Sequence, residues 1–170
     1  MGSRIVLWIT NVFGERIGEI IGSIFIAMLP IIELRGAIPV AFAFGLNWQT
    51  AITCAVIGNV IPIPFILIFL DSIFNFMKKH NIFRGLVKKL EEKAISKSEK
   101  VSKYQFWGLV LFVAIPLPGT GGWTGALIAS AMKMDRKNAF LSILIGIIYA
   151  AILVTLGTYG IVGNIVNLVI

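Results

Sequence analysis

The sequence contains few charged residues, one cysteine and one histidine. Charged residues make up 14% of the 170 positions, against about 25% in a typical soluble domain, whereas 58% are hydrophobic and the mean hydropathy is +0.93. The single cysteine, Cys54, excludes an internal disulfide and a cysteine-based zinc site, and we interpret it as a buried space-filling residue. These features together indicate an integral membrane protein.

Residues that could carry hydrolytic chemistry are equally scarce. The chain has no nucleophile–base pair, no cluster of metal-ligating residues and no phosphate-binding loop of the P-loop type, and His80 lies among lysines. We therefore expect that the protein is not an enzyme and that it holds neither a metal nor a cofactor.

The net charge of +7 is concentrated in two places. Nine of the fifteen basic residues lie in residues 78–103, and Lys133, Arg136 and Lys137 form a smaller group. Neither group carries a nucleic-acid-binding motif or interleaved aromatic residues, so no nucleic acid is expected as a partner. Basic residues beside apolar spans are typical of cytoplasmic loops. Residues 78–103 are therefore predicted to form a basic amphipathic helix on the cytoplasmic surface of the cell membrane.

Two apolar segments reach the length of about 20 residues that a membrane span requires. These are residues 48–77 and 138–157, and the first contains Pro62 and Pro64, which should kink it. Residues 1–16 place apolar side chains on one helical face and are predicted to form an interfacial helix. Residues 158–170 form an apolar tail.

Two further apolar segments are broken in the middle. Residues 17–47 are interrupted at "PIIELRGAIP", which contains Pro30 and Pro39, and residues 104–134 are interrupted at "PLPGTGG", which contains Pro116 and Pro118. Helices cannot continue through such sequences, and each remaining piece crosses only about half of a bilayer. Both segments are predicted to be re-entrant helical hairpins whose tips are buried in protein or line a wet cavity.

The two hairpins belong to an internal repeat in which each half is one hairpin followed by one span. One full crossing per half inverts the second copy relative to the first, and the positions of the basic loops agree with this topology. The fold class is therefore an all-α membrane protein with two inverted repeats and interfacial amphipathic helices. The pairs of aligned residues are Pro30 with Pro116, Asn47 with Asp135, Ala51 with Ala139, and Gly58 with Gly146.

Two charged residues, Glu33 and Arg35, lie at the predicted tip of the first hairpin. A charge at the centre of a bilayer costs at least about 2.5–3.5 kcal/mol, so their presence needs a reason. One reason is an ion pair that locks the hairpin into the bundle. The other is function: the guanidinium of Arg35 suits a phosphate or carboxylate, and a desolvated Glu33 could exchange a proton as substrate moves. Both alternatives remain open from sequence alone.

The tip of the second hairpin carries no charge but contains glycines that allow close approach to main-chain N–H groups. Such N–H groups at the start of a half-helix have a positive character that suits an anion, and Gly36 is predicted to play the same part in the first hairpin. Asn59 could reach the tips or form an interhelical hydrogen bond. The candidate residues of the second tip are Gly119, Thr120, Gly121, Gly122 and Trp123.

Two motifs, "ELRGAIP" and "PLPGTGGWTGALIASAMKM", resemble the small multidrug export protein family of prokaryotic membrane proteins. The resemblance covers nearly the whole chain and implies drug efflux. A more distant similarity, in "GALIASAMKMDRKNAFLSILIGIIYA", is to the DedA superfamily of lipid transporters and scramblases, which implies two inverted re-entrant hairpins and a lipid phosphate substrate. The second hairpin of that superfamily usually carries arginines, whereas this one has none, so Arg35 would have to bind the phosphate.

The function predicted from these observations is transport of a small anionic amphipathic substrate, a polyprenyl phosphate or phospholipid, across the cell membrane. The protein would be multi-pass, would contact membrane lipids, and could form a homodimer that buries more hairpin backbone. One alternative is proton-coupled export of cationic or hydrophobic drugs through Glu33. An alternative of another class is a membrane scaffold whose working part is the basic segment 78–103.

Overall fold

The computed structural model describes residues 14–69, 100–117 and 119–162, and these ranges contain helices and no strand. The predicted interfacial helix at 1–16 and basic helix at 78–103 lie almost entirely outside the described residues, as do Pro118 and most of the 158–170 tail. The helices are α1 (Glu15–Met28), α2 (Glu33–Ala43), α3 (Trp48–Val60), α4 (Lys100–Ala114), α5 (Gly122–Ala131) and α6 (Arg136–Thr155), with a π-helical segment at Leu156–Val162.

Among the described residues, two helical stretches are able to cross a membrane by length and composition. They are Trp48–Phe69, of 22 residues, and Arg136–Ile161, of 26 residues, and they lie where the sequence predicts its two spans. The first stretch is α3 followed by one turn residue, Ile61, and by a helical segment at 62–69. The interruption directly precedes Pro62, which has no N–H to donate to the helical ladder.

The chain divides into two compact units, Met1–Ile61 with Ile147–Ile170, and Pro62–Gly146. In the first unit α1, α2 and α3 pack against one another, and the π-helical segment packs against α2. The close approach of α1 and α3 depends on Gly58, because a Cβ there would collide with the carbonyl oxygen of Ile24 and lie 2.7 Å from the Cβ of Ala27. The residues buried at the helix contacts are mostly small, as in many membrane bundles.

In the second unit α4 packs against α5 and against the middle of α6. A Cβ on Gly146 would lie 2.6 Å from the Cβ of Val113 and 2.9 Å from the carbonyl oxygen of Val110, and a Cβ on Gly125 would lie 2.7 Å from a methyl group of Val113. Glycine at both positions therefore sets the spacing of the helices. Gly146 makes the same kind of contact with α4 that its aligned residue, Gly58, makes with α1.

A tight corner joins α2 to α3. Gly45 has a φ of 71°, and the N–H of Leu46 donates to the carbonyl of Ala41 at 3.0 Å, which is the pattern of a Schellman C-cap. The side chain of Asn47 then accepts a hydrogen bond from the N–H of Thr50 at 2.8 Å and caps the next helix. One helix therefore ends and the next begins without a flexible linker between them.

The corner between α5 and α6 has the same construction. Lys133 has a φ of 52°, the N–H of Met134 donates to the carbonyl of Ala129 at 2.9 Å, and Asp135 accepts from the N–H of Asn138 at 3.3 Å. These are the positions that the sequence repeat aligns with the first corner. The local structure therefore repeats where the sequence repeats, whereas the inversion of the two copies and their re-entrant geometry remain predictions.

The break in the first hairpin is shorter than the sequence suggests. It covers residues 29–32, and Pro39, which we expected to mark its end, lies inside α2. The helix begins at Glu33 because the N–H groups of Glu33 and Gly36 find partners there, in the carbonyls of Leu29 (2.9 Å) and Ile32 (3.1 Å). The fixed φ of proline is compatible with a helix, and α2 continues through Pro39 despite the hydrogen bond that this residue cannot donate.

Candidate functional site

The first hairpin places Glu33 and Arg35 in direct contact. Nη1 of Arg35 donates to Oε2 of Glu33 at 2.8 Å. The two side chains differ in exposure, since the carboxylate side chain is 5% exposed and the guanidinium side chain is 18% exposed. The pair that the sequence offered as one of two alternatives is therefore formed, and its cation is the more accessible member.

The backbone at Glu33 explains how neighbours two positions apart can meet. Residues i and i+2 do not face each other on a regular helix. Glu33, however, has a φ of 50°, a left-handed conformation that few residues other than glycine adopt and that costs on the order of 1–3 kcal/mol. Because Glu33 starts α2 in this conformation, its side chain leaves the helix in an irregular direction, toward Arg35. Its carboxylate also lies in the first turn, where the helix dipole favours a negative charge.

Apolar side chains are exposed at the same break. Ile31 is 94% exposed, and Leu29 and Ile32 are each more than 40% exposed. The tip of the first hairpin therefore combines a partly exposed guanidinium with an apolar surface. This combination suits a molecule with an anionic group and an apolar body.

Gly36 lies inside the first turn of α2 and not ahead of the helix, where the sequence placed it. We expected its N–H to face the substrate, but it donates to the carbonyl of Ile32 at 3.1 Å within the first turn of α2. A Cβ at this position would collide with Cγ2 of Ile32. Glycine is therefore needed here to make room for a neighbouring side chain.

Asn59 is fully buried in the first unit, with 0% of its surface exposed. Neither its Oδ1 nor its Nδ2 has a hydrogen-bond partner among the residues that the structure describes. It follows Gly58, which contacts the last two turns of α1 before the break, so Asn59 lies at about the depth of the tip. The interhelical hydrogen bond that we considered for this side chain is not formed within the described ranges.

The break in the second hairpin includes residues 115–117 and 119–121, close to the predicted "PLPGTGG". The hydroxyl of Thr120 donates to the carbonyl of Ile115 at 2.6 Å and accepts from the N–H of Leu117 at 3.3 Å. Pro116 lies between these partners. Thr120, predicted to contact substrate, thus uses its hydroxyl to close the break.

Two glycines of this break adopt backbone conformations that favour glycine. Gly119 and Gly121 have φ values of 82° and 146°, which side chains disfavour. Gly121 is the N-cap of α5 and provides no side-chain cap, and Gly122 and the half-buried Trp123 form the first turn. The break therefore leads into a helix N-terminus of positive character. That the two hairpin tips approach each other remains a prediction.

Two buried hydroxyl groups were not singled out from the sequence. Oγ of Ser130 and Oγ1 of Thr155 are buried and have no hydrogen-bond partner within the described part of the chain. Each could have been identified from the sequence as an isolated polar residue inside an apolar helix. No group of three or more histidine, cysteine, aspartate or glutamate side chains that could hold a metal ion occurs in residues 14–69, 100–117 and 119–162.

Two apolar helices long enough to cross a bilayer, together with a buried ion pair at a helix break, are features of a small membrane transport protein. The chain belongs to the family described as "Putative small multi-drug export protein", whose sequence model matches residues 33–153. The match begins at Glu33 and includes both motifs on which the resemblance rested, which confirms that resemblance. Comparisons with curated proteins and with solved structures gave no match. The similarity to the DedA superfamily remains a prediction.

Proposed function

We propose that this small membrane transport protein moves an anionic amphipathic substrate, a polyprenyl phosphate or a phospholipid, and that Arg35 binds its anionic group. The observation that carries the proposal is the Glu33–Arg35 pair, in which the guanidinium is the more exposed partner. An approaching molecule meets the cation before the carboxylate. The exposed apolar side chains of the break, including Ile31, provide a surface for the rest of the substrate.

The buried carboxylate gives the site its coupling to protons. An anion on Arg35 would lie close to Glu33, and two like charges about 4 Å apart repel by about 4 kcal/mol at the effective dielectric constant near a protein surface. Protonation of Glu33 removes this repulsion and releases the Arg35 donor that the carboxylate accepts from. Substrate anion and proton therefore bind together, and the closed ion pair re-forms when both leave.

The architecture we propose is a multi-pass cell-membrane protein with two inverted repeats of a re-entrant hairpin and a span, the basic segment 78–103 being cytoplasmic. The matching corners at Asn47 and Asp135 support the repeat. The 62–69 segment and the start of α6 line one cavity, as expected if the first span ends on the side where the second begins. Cysteine accessibility scanning tests this: positions near Asn47 and near Arg136 should label from opposite sides, and labelling from one side would refute it.

The substrate assignment can be tested with purified protein in vesicles and a labelled anionic lipid. Arg35→Lys keeps the charge but loses the planar fork, and Arg35→Ala loses both, so each should slow transport by about tenfold or more. Arg16→Lys is the matched control, because Arg16 forms an exposed pair with Glu19 at 3.9 Å. Unchanged transport in both Arg35 variants would refute the proposal.

The role of Glu33 has its own test. If the protonated form loads the anion, transport should rise as the pH on the loading side falls. Glu33→Gln imitates the protonated form, so this variant should transport at a rate that no longer depends on pH. A strong pH dependence that persists in Glu33→Gln would exclude Glu33 as the proton carrier.

A second candidate is proton-coupled export of cationic or hydrophobic compounds, which the description of the family favours. In that case the carboxylate of Glu33 would hold the cation and exchange it for a proton. Efflux of a cationic dye that survives Arg35→Ala but is lost in Glu33→Gln would select this candidate. A membrane scaffold would instead tolerate both changes and lose activity when the lysines of residues 78–103 are replaced by glutamine.

A further inference from the structure

Tyr149 lies in the middle of the second candidate membrane span and is exposed there. The span runs from Arg136 to Ile161, and Tyr149 is about 18–20 Å from either end of it along the helix axis. This places the side chain close to the centre of a bilayer. Tyr149 is nevertheless 56% exposed. Its phenol therefore faces hydrocarbon unless another molecule covers it.

The hydroxyl of Tyr149 makes no hydrogen bond within the described part of the chain. The other tyrosine of the same stretch differs, since the hydroxyl of Tyr159 donates to the carbonyl of Leu46 at 2.7 Å. A hydroxyl surrounded by hydrocarbon without a partner is costly, and lipid acyl chains have no hydrogen-bonding group at this depth. The position therefore calls for a polar partner from another molecule.

Apolar side chains surround Tyr149 on the same face of the helix. Ile152, Leu153 and Leu156 follow it at i+3, i+4 and i+7, and each is more than 40% exposed. We call these four residues the Tyr149 face. The other face of the helix packs against its own chain, and three of its residues are at most 1% exposed: Ile147, Ala150 and Ala151. The Tyr149 face is thus left open over two turns.

A second copy of this chain can satisfy both the hydroxyl and the apolar surface around it. Most homodimers have a two-fold axis, and for two copies with the same orientation in a membrane this axis lies along the membrane normal. Residues at the axis then meet the same residues of the second copy at the same depth. A tyrosine hydroxyl is both a donor and an acceptor, so the two Tyr149 hydroxyls can bond to each other.

We propose that the Tyr149 face is the interface of a homodimer. The hydroxyls of the two Tyr149 residues are hydrogen-bonded at its centre, and the apolar residues of the face pack around them. Membrane helices associate through close packing and through interhelical hydrogen bonds of this kind. This proposal does not depend on the substrate or on how Arg35 acts.

Cysteine crosslinking of the full chain in lipid vesicles tests the contact. Cys54, the only cysteine, is first replaced by alanine, so that any disulfide must join two chains. Ile152→Cys and Leu153→Cys keep Tyr149, and at least one of them should form disulfide-linked dimers on oxidation. Ile57→Cys is the matched control, because Ile57 is 45% exposed near the middle of the other candidate span. Crosslinking of neither variant, or of the control to the same extent, would overturn the proposal.

The role of the hydroxyl is tested by the dissociation constant of the dimer, measured by energy transfer between labelled chains diluted into lipid. Tyr149→Phe keeps the ring and loses the hydroxyl, so it should weaken association by about 3-fold to 30-fold, as interhelical hydrogen bonds do in membranes. Tyr159→Phe is the matched control, since its hydroxyl bonds within the chain, and it should associate like the unmodified protein. The proposal is overturned if Tyr149→Phe associates normally, if both variants lose equally, or if the unmodified chain stays monomeric at every dilution.

Discussion

Replacing Asn59 by leucine should make the protein more stable. The side chain is fully buried, and both of its polar atoms lack a partner within the described residues. Leaving a buried polar group unsatisfied costs about 1–3 kcal/mol, and leucine has a similar shape and no group to satisfy. We expect the free energy of unfolding of Asn59→Leu to rise by about 1–3 kcal/mol for this reason.

Thermal unfolding of the purified protein in detergent measures this effect. A change of 1 kcal/mol shifts the Tm of a chain of this length by about 2–4 °C, so the expected increase is well within reach of the assay. Asn47→Leu is the matched control because the side chain of Asn47 caps α3 through the N–H of Thr50. The same chemical change there should lower the Tm, because the lost cap contributes about 1 kcal/mol to the free energy of unfolding.

A transport assay tests whether the amide of Asn59 also contacts substrate. If the amide of Asn59 is kept for contact with substrate, Asn59→Leu should lose transport while gaining stability. A fall in Tm would refute the reasoning, because it would mean that the amide has a partner in the native protein. A higher Tm with normal transport would leave Asn59 without a role in the site.

Three further predictions concern stability. Gly58→Ala should lower the free energy of unfolding by about 1–3 kcal/mol, because its Cβ would collide with α1. Gly108→Ala, where nothing lies within 4 Å, should be neutral or stabilising. Equal losses of stability in the two variants would contradict the packing. Tyr159→Phe should cost about 1 kcal/mol, since the hydroxyl donates to the carbonyl of Leu46 at 2.7 Å; an unchanged Tm would exclude this bond. Asp135→Ala should cost about 1 kcal/mol through loss of the α6 cap, and an unchanged Tm would show that the cap contributes nothing.

The second break could be predicted from sequence and the first only in part. Two prolines and three glycines within seven residues leave no helical alternative, and the observed break at 115–117 and 119–121 agrees with "PLPGTGG". The first break contains Pro30 and Pro39 with apolar and charged residues between them. α2 nevertheless continues through Pro39, whose fixed φ is compatible with a helix. Proline alone therefore indicated the region of the break and not its end.

The candidate site, too, could be predicted from the sequence only in part. Charge and position were sufficient to single out Glu33 and Arg35, but their contact depends on the left-handed backbone of Glu33, which residue type does not predict because glycine usually occupies such positions. Lys133 is a second example, since it adopts at one corner the conformation that Gly45 adopts at the other. That Asn59 has no hydrogen-bond partner among the described residues results from the packing of helices, which a linear pattern does not contain.

The two corners restrict how either hairpin could move. At each corner, main-chain hydrogen bonds close the end of one helix and a side chain caps the start of the next, for example through Leu46 and Asn47. Bending there would break several hydrogen bonds at once. The helix before each corner and the helix after it should therefore move together. The helical ladder is weaker directly after Ile61, because Pro62 has no N–H to donate.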